Sequence, residues 1–352
     1  MGARVAVVGC GWWATEAHLP ALVANPDAEL VAVVDPDPQR RALVEERFEP
    51  GASYADVDEL LATVELDAAI VAVPHHLHHP LTAPLLDAGA HVLVEKPLTI
   101  DPADARDLVE RARRGSVELL VGYPWHYNEH TTLVRDAIAS GRIGELEFAG
   151  CLFASVAREL YRGNPDSYDA ALGYTLLRPN PATYSDPRSA GGGQAQTQLT
   201  HSAALLLWMT GLEPVSVAAA TGAFGLEVDL ADALTVRFGS GAIGTLGCFG
   251  GVRENHEEML EYRIFGSEGH IALDVQQGEL SIHDGDGVER LPTLPVEKRY
   301  PQAAPSANLV DVALGRAPNR SDGELGGRVV ELIDAMYRSA STGAAVDVGG
   351  RS

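Results

Sequence analysis

The run Val5-Ala6-Val7-Val8-Gly9-Cys10-Gly11-Trp12-Trp13-Ala14 decides how the chain begins to fold. An apolar strand leads into a Gly-x-Gly-x-x-Ala turn, and the residues from His18 to Ala24 then take up helical spacing. In such a strand–turn–helix the first glycine permits the tight turn, the second lets a pyrophosphate approach the backbone, and the small third residue lets the helix pack on the strand. The N–H groups at the helix start then face the phosphates with a partial positive charge. Gly9, Gly11 and Ala14 fill those places, and Trp12 and Trp13, inside the turn, are counted with the cofactor contacts. Alone the motif is weak, but Asp35 ends the second apolar run, 21 residues beyond Ala14. That is near the offset of about 20 at which an acid binds the adenosine ribose hydroxyls. A carboxylate there repels a 2′-phosphate, so NAD is expected and NADP is disfavoured, although Arg40 and Arg41 close by keep NADP in view.

Outward from this turn, Val-rich runs at Val5–Val8, Leu30–Val34, Ala68–Val73, His91–Val94 and Leu119–Val121 alternate with segments of helical period. This alternation predicts a doubly wound parallel sheet, an α/β Rossmann domain over residues 1–122. Residues 123–352 follow a different pattern. A helix is expected over Glu129–Ile138, a strand over Leu146–Ala154, a covering loop over Arg158–Ala190, and a helix over Gln198–Met209 that stops at Gly211. Antiparallel hairpins follow from Val215 to Ile282, and a last amphipathic helix spans 325–340.

A chain of 352 residues with 46% hydrophobic content can bury the cores of two domains. Its formal charge of −23, from 49 acidic and 26 basic residues, repels phosphate backbones and anionic lipid, so neither nucleic acid nor a membrane surface is an expected partner. The three cysteines, Cys10, Cys151 and Cys248, show no CxxC spacing, hence neither a disulfide framework nor a thiolate metal site is expected. A reducing cytoplasm fits this usage. No secretory leader and no run of about 18 apolar residues is read.

With Val94-Glu95-Lys96-Pro97 closing the fourth long strand, the chain resembles the Gfo/Idh/MocA oxidoreductase family. The likeness runs from the glycine turn and His18-Leu19-Pro20-Ala21-Leu22 through Pro74 to His78 and Glu95-Lys96-Pro97. It continues with Gly141-Arg142-Ile143-Gly144-Glu145, Ser189-Ala190-Gly191-Gly192-Gly193, Phe265-Gly266-Ser267-Glu268-Gly269 and Tyr337-Arg338-Ser339. The resemblance implies a C-terminal α+β domain built on an open, mostly antiparallel sheet that often serves as an oligomer interface. A homo-oligomer, dimer or tetramer, is thus expected. It also implies hydride exchange between a nicotinamide cofactor and a sugar, cyclitol or related compound.

Oxidising a secondary alcohol needs a base for the hydroxyl proton, and reduction needs the reverse. Lys96 sits at the carboxyl end of a strand, where ligands of open α/β sheets bind, and Pro97 restricts its backbone. The resemblance makes Lys96 the acid/base and Glu95 an organiser of the site. It also places an Asp, then a His four residues later, on the helix after the glycine-rich turn. His201 keeps its place, but position 197 is Thr, which cannot hold the negative charge that would tune a neighbouring base. Thr197, Tyr123, His126, Arg158 and Tyr161 are the substrate-binding candidates, and Gln194, Gln196 and Gln198 are further hydroxyl partners.

Four imidazoles in Pro74-His75-His76-Leu77-His78-His79 invite a metal reading, but the resemblance places Pro74, His75 and His78 in the loop that lies against the cofactor, and no metal is expected. Trp125 is a sugar-stacking face or ordinary core. Two other functions remain open at the level of sequence. One is an enzyme with tightly bound NAD that oxidises a sugar transiently to assist elimination or hydrolysis. The other is a non-catalytic regulator responsive to NAD or a sugar.

Overall fold

The computed structural model describes residues 2–164 and 176–349. The chain divides into two compact units. The first comprises the described residues of 1–124, 172–183 and 302–327, and the second those of 125–171, 184–301 and 328–352.

The first unit is built on a six-stranded parallel sheet of β1 (Ala3–Val8), β2 (Ala28–Val34), β3 (Ser53–Tyr54), β4 (Ala68–Val71), β5 (His91–Val94) and β6 (Leu119–Val121). Their order is β3-β2-β1-β4-β5-β6, so the chain changes direction across the sheet between β1 and β4, the switch point beside which such sheets bind ligands. β4 is buried at every position and β1 at all but one, as expected of strands covered on both faces. The helices between them start where the sequence offers short carboxylates. Asp37, Asp56 and Asp101 accept the N–H groups of Gln39, Glu59 and Ala103.

Three features of this unit depart from the sequence reading or go beyond it. β3, two residues long, is too short to show a period. The helix expected to open at Leu81 begins at His78 after a 3-10 turn over His75–Leu77, because Pro80 lies in its first turn, where a missing N–H costs no helical bond. A helix over Ala304–Ala313 belongs to this unit, and its Leu309, Val310 and Val312 join the core of Val5, Val7, Ile70, Leu93 and Leu120.

The second unit carries nine strands: β7 (Leu146–Ala154), β8 (Pro214–Gly222), β9 (Ala231–Phe238), β10 (Ile243–Phe249), β11 (Met259–Gly266), β12 (Gly269–Asp274), β13 (Glu279–Asp284), β14 (Gly287–Arg290) and β15 (Val346–Asp347). Their order is β14-β13-β12-β11-β7-β10-β9-β8-β15, antiparallel except where β7 pairs with β10. β9 shows the two-residue period plainly: Asp232, Leu234, Val236 and Phe238 are buried while Ala233, Thr235 and Arg237 face out. Against the covered face packs the helix Thr200–Thr210, apolar almost all round and buried, which ends at Gly211 in the left-handed region (φ 67°). A π-turn over Ala195–Leu199 leads into it, three residues earlier than the helix start read from the sequence. Of the loop expected over 158–190, residues 165–175 lie outside the described residues, and the rest includes short helices at Arg158–Tyr161, Ala182–Ser185 and Pro187–Ala190. The last helix runs over Gly323–Thr342. Among the described residues no helix is long and apolar enough to cross a membrane.

Candidate active site

In the first unit the candidate residues gather at the carboxyl ends of the strands, since Gly9 follows β1, Asp35 β2, Pro74 β4, Glu95 and Lys96 β5, and Gly122 and Tyr123 β6. Gly9 has φ 99°, and a Cβ there would lie 2.3 Å from the Ala72 carbonyl oxygen, so the turn admits no side chain. A Cβ on Gly11 would meet nothing nearer than that same oxygen at 4.0 Å, which leaves an open cradle on the helix side of the turn. Asp35 is buried and spans the rim. Its Oδ2 accepts the Cys10 N–H (2.9 Å) and its Oδ1 the Asp37 N–H (2.9 Å), with a second lone pair left on each oxygen. Arg40 holds a guanidinium nitrogen 4.0 Å from Asp35 Oδ2, and Arg41 donates to the Asp35 carbonyl (2.5 Å).

Glu95 is buried, yet its carboxylate is well supplied with donors. Oε1 accepts from Trp13 Nε1 (2.9 Å) and His18 Nε2 (3.0 Å), and Oε2 from the Lys96 N–H (3.2 Å). Burial pushes its pKa up, but the His18 hydrogen bond and charge, with Lys96, overcome this and hold it below the ordinary carboxylate value. Lys96 feels the opposite pair of forces. Burial drives its pKa below 10.5 and the Glu95 charge pulls it back, with burial prevailing. The Lys96–Pro97 peptide is cis. His78, fully buried, spans the Pro97 carbonyl (Nδ1, 2.7 Å) and the Val73 carbonyl (Nε2, 3.0 Å), tying the loop after β4 to the loop after β5. His75 is buried beside it, their rings 5.7 Å apart. His79 bonds Asp107 (2.8 Å), and His76 is exposed. Trp12 meets Trp13 edge-on at 5.2 Å, and Tyr123 is buried.

In the second unit the glycine-rich turn is seated on a carboxylate. Asp229 Oδ1 accepts the Gly193 N–H (2.8 Å) and the Tyr337 hydroxyl (2.7 Å), and Oδ2 accepts the Ala195 N–H (2.8 Å). Thr197 is buried and donates to the Gly193 carbonyl (2.7 Å), while the Tyr161 hydroxyl reaches both Thr197 Oγ1 and Gln194 Oε1. Gln194 extends this chain to Ser155 (3.1 Å) and Cys248 (3.1 Å). Asp232, on β9, is buried close to Asp229. Burial and then the Asp229 charge push its pKa to about 9, so it stays protonated at neutral pH. His201, also buried, meets the Trp125 ring edge-on at 5.3 Å, and Trp125 in turn meets Tyr300 at 5.1 Å. His126 is fully buried and stacked on Trp208 (5.0 Å, 8°). Arg158 is half-buried in the short helix it opens.

The structure thus brings Lys96 together with Glu95, Trp13 and His78, and Thr197 with Tyr161 and Gln194. Several residues of both clusters escaped the sequence reading. His18 stood in a quoted motif and Tyr337 in another, but neither was given a role. Ser306, whose hydroxyl meets His18 Nδ1 (2.8 Å), Asp229 and Tyr300 carried no local signal, because each meets its partner from a distant segment.

Comparison with known proteins agrees with this geometry. Residues 3–123 match the "Oxidoreductase family, NAD-binding Rossmann fold", and residues 131–272 match the "GFO/IDH/MocA C-terminal domain". The chain is 30% identical to a dTDP-3,4-didehydro-2,6-dideoxy-alpha-D-glucose 3-reductase of Saccharopolyspora spinosa, covering 77% of this chain and 74% of that one. It is 25% identical to an inositol 2-dehydrogenase of Rhizobium meliloti (strain 1021), over 97% of this chain and 98% of the other. A levoglucosan dehydrogenase, solved with NADH and levoglucosan, shares the fold, with TM-score 0.82 and 19% identity over 99% of this chain and 100% of that one. This chain belongs to the Gfo/Idh/MocA family of NAD-binding oxidoreductases.

Proposed function

We propose that this oxidoreductase exchanges a hydride between NAD, in preference to NADP, and a secondary alcohol or ketone carbon of a sugar, cyclitol or glycoside, with Lys96 as acid/base and His201 as its partner. The observation that carries this reading is Lys96 itself, half-buried at the end of β5 beside an ionised Glu95. The names of the relatives, a nucleotide-sugar reductase and an inositol dehydrogenase, support the substrate class.

The residues present fit the dinucleotide. The open cradle at Gly11 suits a pyrophosphate, and the spare lone pairs of Asp35 suit ribose hydroxyls. Arg40 and Arg41 are already engaged around Asp35, which favours NAD. Gly9, Gly11, Trp12, Trp13, Asp35, Arg40, Pro74, His75, His78, Glu95 and Lys96 are assigned to the cofactor, Lys96 in addition to its acid/base role. When bound, the nicotinamide takes up or delivers the hydride at the substrate carbon. For oxidation the neutral Lys96 amine accepts the hydroxyl proton, and for reduction the ammonium returns it. Burial makes the neutral form accessible below the ordinary lysine range, and Glu95 keeps the charged form from becoming too costly. Thr197, Tyr123, His126, Arg158 and Tyr161 are assigned to the substrate side.

We also propose a homo-oligomer, dimer or tetramer, formed through the open face of the nine-stranded sheet. Phe148, Leu152, Ile243, Met259 and Phe265 lie on that face, and Phe148 and Phe265 touch. Three buried, unpaired cysteines support a reducing, cytoplasmic setting.

The test is NADH formation from NAD across a panel of cyclitols, aldoses, sugar acids and glycosides, with Lys96→Met alongside. The variant is expected to lose about a thousandfold in kcat while its NAD affinity stays within about threefold of wild type. Substrate consumption without net NADH would replace this reading by the transient-oxidation one. Equal turnover by Lys96→Met would remove the lysine from the mechanism.

A further inference from the structure

Glu95 is the point at which the dinucleotide turn and the lysine meet. Trp13 and His18 both bond its Oε1, and they do so because of a local irregularity in the helix that follows the turn. Residues five apart on an α-helix are rotated by about 140° from one another. Here a π-turn spans Ala14–His18, with the Leu19 N–H bonded to the Ala14 carbonyl, and such i→i+5 winding brings positions 13 and 18 onto one face. Ser306, from the helix Ala304–Ala313, meets His18 Nδ1 at 2.8 Å and fixes the ring, so that Nε2 donates to the carboxylate. Space for the carboxylate comes from Gly122, where a Cβ would lie 2.4 Å from Glu95 Oε1. The carboxylate's other face belongs to Lys96, through the Oε2 contact with its N–H and the attraction between the two charges.

We propose that His18 is a positioning residue for Lys96. Together with Trp13 and Ser306 it holds the Glu95 carboxylate in place, so that the helix following the dinucleotide turn sets the acid/base. The proposal rests on Lys96 being that acid/base. The charged or titratable groups that bear on Glu95 are His18, Lys96 and His78. His78 is spanned between two carbonyl groups and is independent of the His18 contact.

The sequence makes a direct test practical, because the chain contains only two lysines, Lys96 and Lys298. Lys298 pairs with Glu129 (2.7 Å) in the second unit and serves as an internal control. The protein labelled with ¹³C-lysine gives two ε-methylene signals, and Lys96→Met identifies which is which. His18→Leu removes a donor from Glu95 and weakens its hold on the ammonium, so the Lys96 titration midpoint is expected to fall by about one pH unit, with Lys298 unmoved. His18→Gln, which can place an N–H where Nε2 stands, should return the midpoint toward wild type, a recovery that a merely space-filling role would not give. Should His18→Leu fail to fold, Trp13→Phe removes the other Oε1 donor and is expected to shift the midpoint the same way. A Lys96 midpoint unchanged in a folded variant overturns the proposal. Because the titration needs no substrate, a silent substrate panel would count against the proposed activity and leave this result standing.

Discussion

Two glycine-rich turns, at Gly9–His18 in the first unit and Gly191–Leu199 in the second, are built alike and held differently. Each runs into a π-turn and each is fastened by a buried carboxylate from a distant segment. Glu95 grips the first through side chains, Trp13 and His18, and leaves an open cradle at Gly11. Asp229 grips the second through its backbone, taking the N–H groups of Gly193 and Ala195. The Gly193 and Ala195 amides are thereby taken, whereas in the first turn Asp35 takes the Cys10 N–H and the space beside Gly11 stays open. The second turn is a seat for the helix that carries Thr197 and His201, whereas the first is shaped to receive an anion.

The comparison breaks most readily at Gly9. Gly9→Ala forces a Cβ against the Ala72 carbonyl at a positive φ, and about 3 kcal/mol or more of stability should go together with NAD binding, read by thermal unfolding and cofactor titration. Asp229→Ala strands three donors and is expected to cost about 2–3 kcal/mol, while NAD affinity and the Lys96 titration hold. A loss of NAD affinity there would mean that the two turns are not independent. Gly11→Ala meets no neighbour, so its melting temperature should match wild type. Its NAD dissociation constant should rise about tenfold, or about 1.4 kcal/mol, through the filled cradle.

The smallest effect concerns the second acid under the second turn. Asp232 has a folded-state pKa of about 9 against an ordinary 3.8, so between those values the native chain keeps a proton that the unfolded chain has released. Stability therefore falls as pH rises through that window. Asp232→Asn does not titrate and should level the slope. Between pH 7 and pH 7.5 wild type is expected to lose about 0.7 kcal/mol relative to Asp232→Asn, or about 1–2 °C in melting temperature, and the difference should stop changing below pH 4.

Much of this was legible in the sequence, and for a stated physical reason. Periodicity and turn chemistry are local, so the glycine turn, Asp35 at the end of β2 and the strand Leu146–Ala154 could be read directly. Lys96 and His201 came from motifs in order along the chain. What could not be read were meetings between distant segments, such as Ser306 with His18, 288 residues apart, or Tyr337 with Asp229, 108 apart. The π-turns were also hidden, since their apolar spacing passes for that of an ordinary helix. Thr197 illustrates the gap between type and place: the sequence shows a hydroxyl where the family has an acid, but only the structure shows that hydroxyl committed to Gly193 and Tyr161.

The helix Ala304–Ala313 bears on how the protein is made. Its Leu309, Val310 and Val312 close the core of a sheet whose last strand ends at Val121, so the ribosome must add some 180 more residues before that sheet is complete. At about 5–20 residues per second this takes roughly 9–36 s, during which nascent chains carry the β1, β4 and β5 core without its C-terminal cover. Synthesis of this protein thus includes an interval in which that face of the first unit's core is uncovered, and a fragment ending near residue 124 would keep it uncovered.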